Sequence, residues 1–345
     1  MEKLILSGMS LEEITNLTDS LNESKYRAKQ IHNWIYQKSV SSIEQMTDIS
    51  KSSREKLSQI AEVTNVKIKN KQVSVDGTIK YLIEFTDGNC VETVLMRFDN
   101  RANLTACVSS QVGCACGCKF CATGKLGFIR NLTPTEIIEQ VLTIQRDTGL
   151  KVTNIVFMGQ GEPLLNLNNV LQAIEILNKD FVIGIRRLTV STCGIVPQIN
   201  KLAEMDFQPT LAISLHAPMH DLRKELMPIE NKYHLDELMA ALKNYVSDTG
   251  RRITIEYTLI KGFNDSVECA KELAKLLIGL KANINLIIYN PTDKDTFEKP
   301  SKETIQKFKY VLEQSGKKVT IRLERGSDID AACGQLSNKM KSETI

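Results

Sequence analysis

Cys114-Ala-Cys-Gly-Cys118-Lys-Phe-Cys121 sets three thiols at the spacing C-x3-C-x2-C. Three thiolates can hold three irons of a [4Fe-4S] cluster and leave the fourth iron without a protein ligand, whereas clusters that only carry electrons normally take four. An open iron is a place for chemistry. In radical-generating enzymes its exchangeable ligand is S-adenosylmethionine, held by its amino and carboxylate groups. A compact zinc site is one alternative, because Cys116 adds a fourth sulfur within eight residues, although structural zinc usually takes two separated Cys/His pairs. Four inert buried thiols are another. Cys116 itself reads as incidental, its side chain turned away from the metal.

Further candidates are scattered along the chain. Met158-Gly-Gln-Gly161-Glu162-Pro163 combines glycines, which let a backbone approach a ligand closely, with a carboxylate able to pair with an ammonium group. Ser191-Thr192, Ser214-Leu215-His216 and Asn290-Pro291 are short polar stops after apolar runs. Each alone reads as a turn or a helix cap; together around the cysteine motif they suggest an adenosyl-binding pocket. Cys107 and Cys333 lie in polar settings at spacings that do not suit the cluster, and Ala331-Ala-Cys333-Gly-Gln is small enough to present an exposed nucleophile. Cys90, Cys193 and Cys269 read as core residues. Glu92 by default faces solvent.

The elements that must position these residues follow from periodicity. Residues 1–64 read as short helices, with a capping-box pattern from Ser10 to Glu13 and Ile31, Trp34 and Ile35 at helical spacing. Residues 65–100 change to a period of two, with Asp76-Gly77 and Asp87-Gly88 as turns, and predict a β-meander linker. Residues 101–345 alternate strand and helix. The predicted strands are 105–110, 153–158, 188–192, 211–215, 253–259 and 284–289, with a seventh at 319–323 before the tail that carries Cys333. Thr133-Pro134-Thr135-Glu136 starts the first helix of this part. The fold class is α/β, an incomplete parallel (β/α)6 barrel whose chemistry belongs at the C-terminal ends of its strands.

Bulk composition narrows the class. The chain has 345 residues, 42% apolar and 25% charged, enough for a sizeable core. Its charge of +3 does not by itself announce nucleic acid. Lys25/Arg27/Lys29, Lys67/Lys69/Lys71, Arg186-Arg187, Arg251-Arg252 and Lys339/Lys341 would meet phosphates if the fold gathers them on one face; singly, each reads as solvated surface. No run suffices to span a bilayer, and Met1 to Ile5 lacks the apolar core of a signal peptide. The expectation is a cytoplasmic protein whose nine cysteines serve metal, catalysis and core rather than a disulfide framework.

Cys107-Val-Ser-Ser-Gln-Val-Gly-Cys114, Cys118-Lys-Phe-Cys121, Gly161-Glu-Pro-Leu-Leu-Asn166, Ile213-Ser-Leu-His-Ala-Pro218 and Asp328-Ile-Asp-Ala-Ala-Cys-Gly-Gln-Leu336 resemble the radical S-adenosylmethionine methyltransferases of the RlmN type, which act on adenosine C2 of 23S rRNA and tRNA. The resemblance covers nearly the whole chain, the helical N-terminal part included. It implies Cys114, Cys118 and Cys121 as cluster ligands, and Gly161, Glu162, Ser191, Ser214, Leu215, His216 and Asn290 as contacts of S-adenosylmethionine. It implies Cys333 as the cysteine methylated first, Cys107 as its partner thiol and Glu92 as the base. Gln160, where an apolar residue is expected, and the extra sulfur of Cys116 are departures.

The implied chemistry explains the pairing of cluster and cysteines. Adenine C2 has neither an acidic proton nor a lone pair, so a polar methyl transfer has nothing to attack it. One S-adenosylmethionine would methylate Cys333; a second, cleaved by one electron to a 5'-deoxyadenosyl radical, would activate that methyl for addition to C2. Glu92 and Cys107 would then resolve the adduct, leaving a disulfide for external reduction. The implied partners are 23S rRNA, tRNA and an electron donor such as a flavodoxin or ferredoxin, with the protein a monomer. Two rivals remain at this level. The related enzymes that methylate C8 of the same adenosine and confer antibiotic resistance share the cluster and both cysteines, although Val112, Pro163 to Asn166 and Arg325-Gly326 look more like the C2 enzymes. A non-catalytic RNA-binding protein with a structural metal is the second.

Overall fold

The structure is a computed structural model and describes residues 3–98, 101–291 and 296–338. Two short strands, β1 (Leu4–Ile5) and β2 (Ala61–Glu62), pair in parallel around helices α1 (Leu11–Ser20), α2 (Lys25–Tyr36) and α3 (Lys51–Ile60). Helix α1 begins with the expected capping box: the Ser10 hydroxyl accepts the Glu13 N–H, and the Glu13 carboxylate accepts the Ser10 N–H at 2.7 Å. Ile31 and Ile35 of α2 join Leu6 and Ile14 in the same continuous core as the barrel strands.

That helical part is closely seated on the barrel. Gly8, at φ +90°, lies so near the adjoining layer that a Cβ would fall 2.4 Å from Thr135 Oγ1. Its backbone also needs the left-handed region that glycine tolerates. His32 Nε2 and Asp180 Oδ1 are 2.8 Å apart across the same junction, and Gln145 Nε2 donates to Ser39 Oγ at 2.9 Å.

One ten-stranded sheet dominates the remainder. Strands β3 (Lys67–Val73), β4 (Ile79–Glu84), β5 (Cys90–Phe98) and β6 (Arg101–Cys107) run antiparallel, turning at Asp76-Gly77 and Asp87-Gly88 between the first three. A small hairpin, β7 (Gln111–Gly113) with β8 (Phe128–Asn131), frames the cysteine loop. Helix α4 (Pro134–Thr148) starts at the Thr133 cap and ends on Gly149. Then come β9 (Asn154–Phe157), α5 (Leu167–Lys179), β10 (Leu188–Thr192), α6 (Val196–Ala203), β11 (Thr210–Ser214), α7 (His220–Leu226) and α8 (Leu235–Thr249). β12 (Ile253–Leu259), α9 (Val267–Leu276), β13 (Ala282–Ile288), α10 (Lys302–Gln314) and β14 (Lys318–Ile321) complete the alternation.

The strand order is β14-β13-β12-β11-β10-β9-β6-β5-β4-β3, parallel from β6 to β14. This is the expected α/β architecture: six parallel strands, the anticipated seventh at the edge, and a sheet left open. The meander is hydrogen-bonded into that same sheet. Two strands match their expected bounds, Leu188–Thr192 and Ile253–Leu259, and the others differ by one to four residues at an end, the first most of all: it runs Arg101–Cys107 rather than 105–110. Residues 108–110 leave the ladder to feed β7, where the Ser110 and Gln111 N–H groups both donate to Gln160 O.

Arg186-Arg187 and Arg251-Arg252 immediately precede β10 and β12, at the strand ends opposite those that carry Ser191 and Ser214. Lys71 pairs with Asp147 at 2.6 Å, and Arg27 with Glu23. Lys339 and Lys341 lie outside the described residues. Among the described residues no helix is long and apolar enough to cross a membrane.

Candidate active site

The C-terminal ends of the parallel strands open into a cavity. The chain just after β9 contributes Met158, Gly159, Gly161 and Glu162; the ends of β10 and β11 contribute Ser191, Ser214 and His216. Strand β12 adds Glu256, the chain past β13 adds Asn290, and the first residue past β14 adds Arg322. This is the place expected of a ligand pocket at strand ends.

Each wall is locked by local hydrogen bonds. Gly161 sits at φ +99°, and a Cβ there would lie 2.6 Å from Gln111 Cβ, so only glycine fits. Glu162 is buried: its Oε2 accepts the Cys193 N–H at 2.8 Å and its Oε1 accepts the Leu164 N–H at 3.0 Å, while burial raises its pKa. Ser191 Oγ and Ser214 Oγ are 3.3 Å apart. The Thr258 N–H donates to His216 Nδ1 at 3.0 Å, which leaves the ring proton on Nε2. Burial, with Arg223 nearby, pulls the His216 pKa down to about 3, so the ring is neutral. Leu215 differs from the other expected contacts: its side chain is fully buried away from the cavity lining, and only its backbone is engaged, donating to Glu256 O.

Cys114, Cys118 and Cys121 all line this cavity. Their sulfurs do not all come within 4.8 Å of one another. A single zinc ion with Zn–S bonds of about 2.3 Å would need a closer set; a multi-iron cluster would not. Burial, reinforced by Cys121 and Cys114, pushes the Cys118 thiol up, and burial likewise raises Cys121; a bound cation-rich group would reverse this. Cys116, expected to turn away, also lines the wall, with its Sγ 3.4 Å from that of Cys193. Cys193, read as core, therefore belongs to the wall too. Two buried acceptors stand there without hydrogen-bond partners, Asn290 Oδ1 and Glu256 Oε2. The thiol set, the ammonium-seeking Glu162 and these orphaned acceptors suit a cluster with a bound S-adenosylmethionine, whose amino, hydroxyl and adenine groups are donors.

The C-terminal tail completes the site. Among the described residues after β14 the chain has one 3-10 turn (Ser327–Ile329), and it is held by hydrogen bonds to other segments and by the burial of Ile329, Ala332 and Leu336. Asp328 accepts from Ser74 Oγ at 2.6 Å and from the Val75 N–H. Gly334 O accepts the Ala122 N–H at 2.7 Å, and Leu336 O accepts Thr123 Oγ1 at 2.7 Å, tying the tail to the cysteine loop. Asn290 Nδ2 donates to Cys333 O at 3.4 Å. Cys333 thereby lines the main cavity and also a second one, where Cys107 lies. Burial first, then the neighbouring Cys333, pushes the Cys107 thiol up to about 12, opposed by Arg322.

Glu92 lines neither cavity and is not solvent-facing. It is 2% exposed, paired with Lys80 at 2.9 Å, and its Oε2 accepts the Ser337 and Asn338 N–H groups at 2.7 and 3.0 Å. The unexpected Gln160 has a partner as well: its Nε2 donates to Asn338 Oδ1 at 2.8 Å and its Oε1 accepts the Glu92 N–H. The glycine-rich turn, Glu92 and the tail thus form one network. Sequence reasoning missed Arg322, Glu256 and Lys80. Arg322 follows a strand end as Ser191 and Asn290 nearly do, so the same rule would have found it; Glu256 was legible as a carboxylate inside an otherwise uncharged strand.

Comparison with known proteins agrees with this geometry. The family described as the Radical SAM superfamily matches residues 108–277, and the ribosomal RNA large subunit methyltransferase N-terminal domain matches residues 5–63. The chain is 46% identical over 342 residues to the "Probable dual-specificity RNA methyltransferase RlmN" of Alkaliphilus oremlandii, covering 98% of this chain and 99% of that one. It is 46% identical to the protein of the same name from Thermotoga neapolitana, covering 97% and 98%. A crystal structure of a radical SAM methyltransferase from Sphaerobacter thermophilus superimposes with a TM-score of 0.92 at 44% identity, covering 96% of this chain and 99% of that one. A barrel site with three converging thiols, fused to this N-terminal domain and matched end to end by these relatives, identifies the chain as a member of the RlmN family of radical SAM RNA methyltransferases.

Proposed function

We propose that this enzyme methylates carbon 2 of an adenosine in 23S rRNA and in tRNA, with Cys333 as the carrier of the methyl group. The observation that carries the reading is the seat of Cys333, shared between a cavity lined by Cys114, Cys118 and Cys121 and one lined by Cys107. Enzymes of this kind use a [4Fe-4S] cluster and two S-adenosylmethionine molecules per turnover. Cys114, Cys118 and Cys121 are the residues to hold the cluster. Gly161, Glu162, Ser191, Ser214, His216, Asn290 and the backbone of Leu215 are those to hold S-adenosylmethionine. When bound, the pair supplies a methyl group to sulfur and the one-electron chemistry that activates it.

The chain's own residues do the remainder. The Cys333 sulfur is nucleophilic and flexible enough in its seat to take a methyl group and offer it to C2. Arg322, on the wall of both cavities, opposes the burial that pushes the Cys107 thiol up. Cys107 takes the Cys333 sulfur as a disulfide when the bond to the transferred carbon breaks. Glu92 takes the C2 proton, which requires Ser337 and Asn338 to release its Oε2. An external reductant, of the flavodoxin or ferredoxin class for the cluster, resets the site.

RNA binding is assigned to residues 1–64, with residues 65–100 joining them to the catalytic part at 101–345. Leu126, Phe128 and Ile129, exposed by 46, 47 and 61% just past the cysteine loop, offer apolar faces for bases extruded toward the cavity. A cytoplasmic monomer is the matching form. The test is nucleoside mass spectrometry after incubating the cluster-loaded enzyme with a 23S rRNA fragment and, separately, with tRNA. 2-Methyladenosine is expected in both. An 8-methyladenosine product would overturn the assigned position, and unmodified tRNA would restrict the substrate to rRNA.

A further inference from the structure

A cluster of side chains outside both cavities has the composition of a metal site. Glu230 lies on the turn between α7 and α8 and is fully buried. Its Oε2 is ion-paired with the buried guanidinium of Arg223. Its Oε1 accepts the Leu235 N–H at 2.7 Å and lies 2.8 Å from His220 Nδ1 and 4.0 Å from His234 Nδ1. The two imidazoles face each other, ring centroids 5.1 Å apart, and all three ligand atoms lie within 4.8 Å of one another. The histidine side chains are 46% and 58% exposed, so an ion has a path in.

We propose that His220, Glu230 and His234 bind a divalent cation of the zinc type. Two imidazole nitrogens and one carboxylate oxygen form a donor set suited to zinc, with water at the fourth position. Bonds of about 2.0–2.2 Å in a tetrahedron separate neighbouring donors by roughly 3.3–3.5 Å. The 2.8 and 4.0 Å separations lie on either side of that, and both rings reach solvent, although the His234 ring also caps α8 toward the Glu237 N–H, a contact that binding would replace. Arg223 holds the carboxylate from behind, as a ligand's supporting partner does. Binding displaces any proton from Nδ1 of each ring to solvent and leaves one on each Nε2; no electron moves.

Two features weigh on the other side. A plain His220–Glu230 hydrogen bond accounts for part of the geometry, and the N-terminus of α8 beside His234 is the positive end of a helix. Asp221 in the first turn of α7, with Asp236 and Glu237 in that of α8, returns negative charge to the same place. The site also connects to the catalytic cavity. Arg223 Nη2 donates to Cys193 O at 2.6 Å, the Cys193 N–H donates to Glu162, and Leu226 O accepts the Lys119 N–H from the cysteine loop at 2.9 Å. An ion here would brace the segment on which that loop rests.

The test is anaerobic equilibrium dialysis of the cluster-loaded enzyme against micromolar Zn2+, counting zinc and iron per chain by mass spectrometry. The double substitution His220→Gln with His234→Gln leaves the Glu230–Arg223 pair in place. The wild type is expected to retain one more zinc per chain than the double variant at equal iron and equal circular dichroism, and each single variant to bind at least about tenfold more weakly. Equal zinc in wild type and double variant, or none in the wild type, would overturn the site. Should the double variant misfold, zinc-edge X-ray absorption of the wild type decides instead: nitrogen and oxygen ligation is expected, and a purely sulfur shell refutes it.

Discussion

The two halves of the active site are built by different means. Ser191 and Ser214 end strands paired on both sides in a continuous parallel sheet, and their positions follow from packing and ladder hydrogen bonds. Cys333 sits on a tail with one short 3-10 turn, fastened by contacts such as Asp328 to Ser74 and Gly334 to Ala122. A floor that holds a cofactor gains from rigidity. Under the proposed reaction the Cys333 sulfur must meet a donor, a base and then a second thiol, so its seat has to be one that side-chain and loop hydrogen bonds, rather than a sheet ladder, hold in place.

Substitutions on either side should separate these roles. Cys333→Ala should lower RNA methylation by roughly three orders of magnitude or more while iron content stays at the wild-type value, whereas Cys118→Ala should lose iron and colour together. Loss of iron in Cys333→Ala would erase the distinction. Cys107→Ala should accumulate a covalent protein–RNA species on denaturing gels, because the thiol that frees the product is gone; multiple turnover without that band would remove Cys107 from its role.

Smaller effects test the fastening itself. Asp328→Ala deletes the hydrogen bonds from Ser74 and Val75, a loosening of about 1–2 kcal/mol, and should slow turnover roughly tenfold. Hydrogen exchange should quicken across residues 327–338 and remain unchanged in β10 to β12; a uniform change would mean general destabilisation. The smallest effect concerns His216. Its pKa is about 3 in the folded chain against 6.5 as a free side chain, so between those values the unfolded state binds more protons and stability falls as pH drops below 6.5. Denaturant titrations at pH 7 and pH 5 should show an acid loss smaller by about 1–2 kcal/mol in His216→Asn; identical slopes would mean the ring is not held neutral.

What could be read beforehand divides along similar lines. The Ser10–Glu13 and Thr133–Glu136 caps lie within four residues, and β10 and β12 begin and end at the residues their period-two pattern predicts. Such features are local, so the sequence displays them. Glu92 looked like a surface carboxylate because what buries it, Lys80 and the N–H groups of Ser337 and Asn338, comes from a neighbouring strand and from 245 residues away. The approach of Cys116 to Cys193 spans 77 residues. His220, Glu230 and His234 carry no periodic signal, since they meet across a bend between two helices.

Gly8 bears on how RNA would reach the barrel. Because no side chain could be inserted between it and Thr135, the amino-terminal helices are tightly seated at that junction, and an RNA gripped by them would arrive at the barrel mouth within a narrow range of angles, like work clamped in a vice before the drill descends. Selectivity for a single nucleotide would then owe as much to reach as to recognition: a base one step along the strand would be chemically identical and simply out of range.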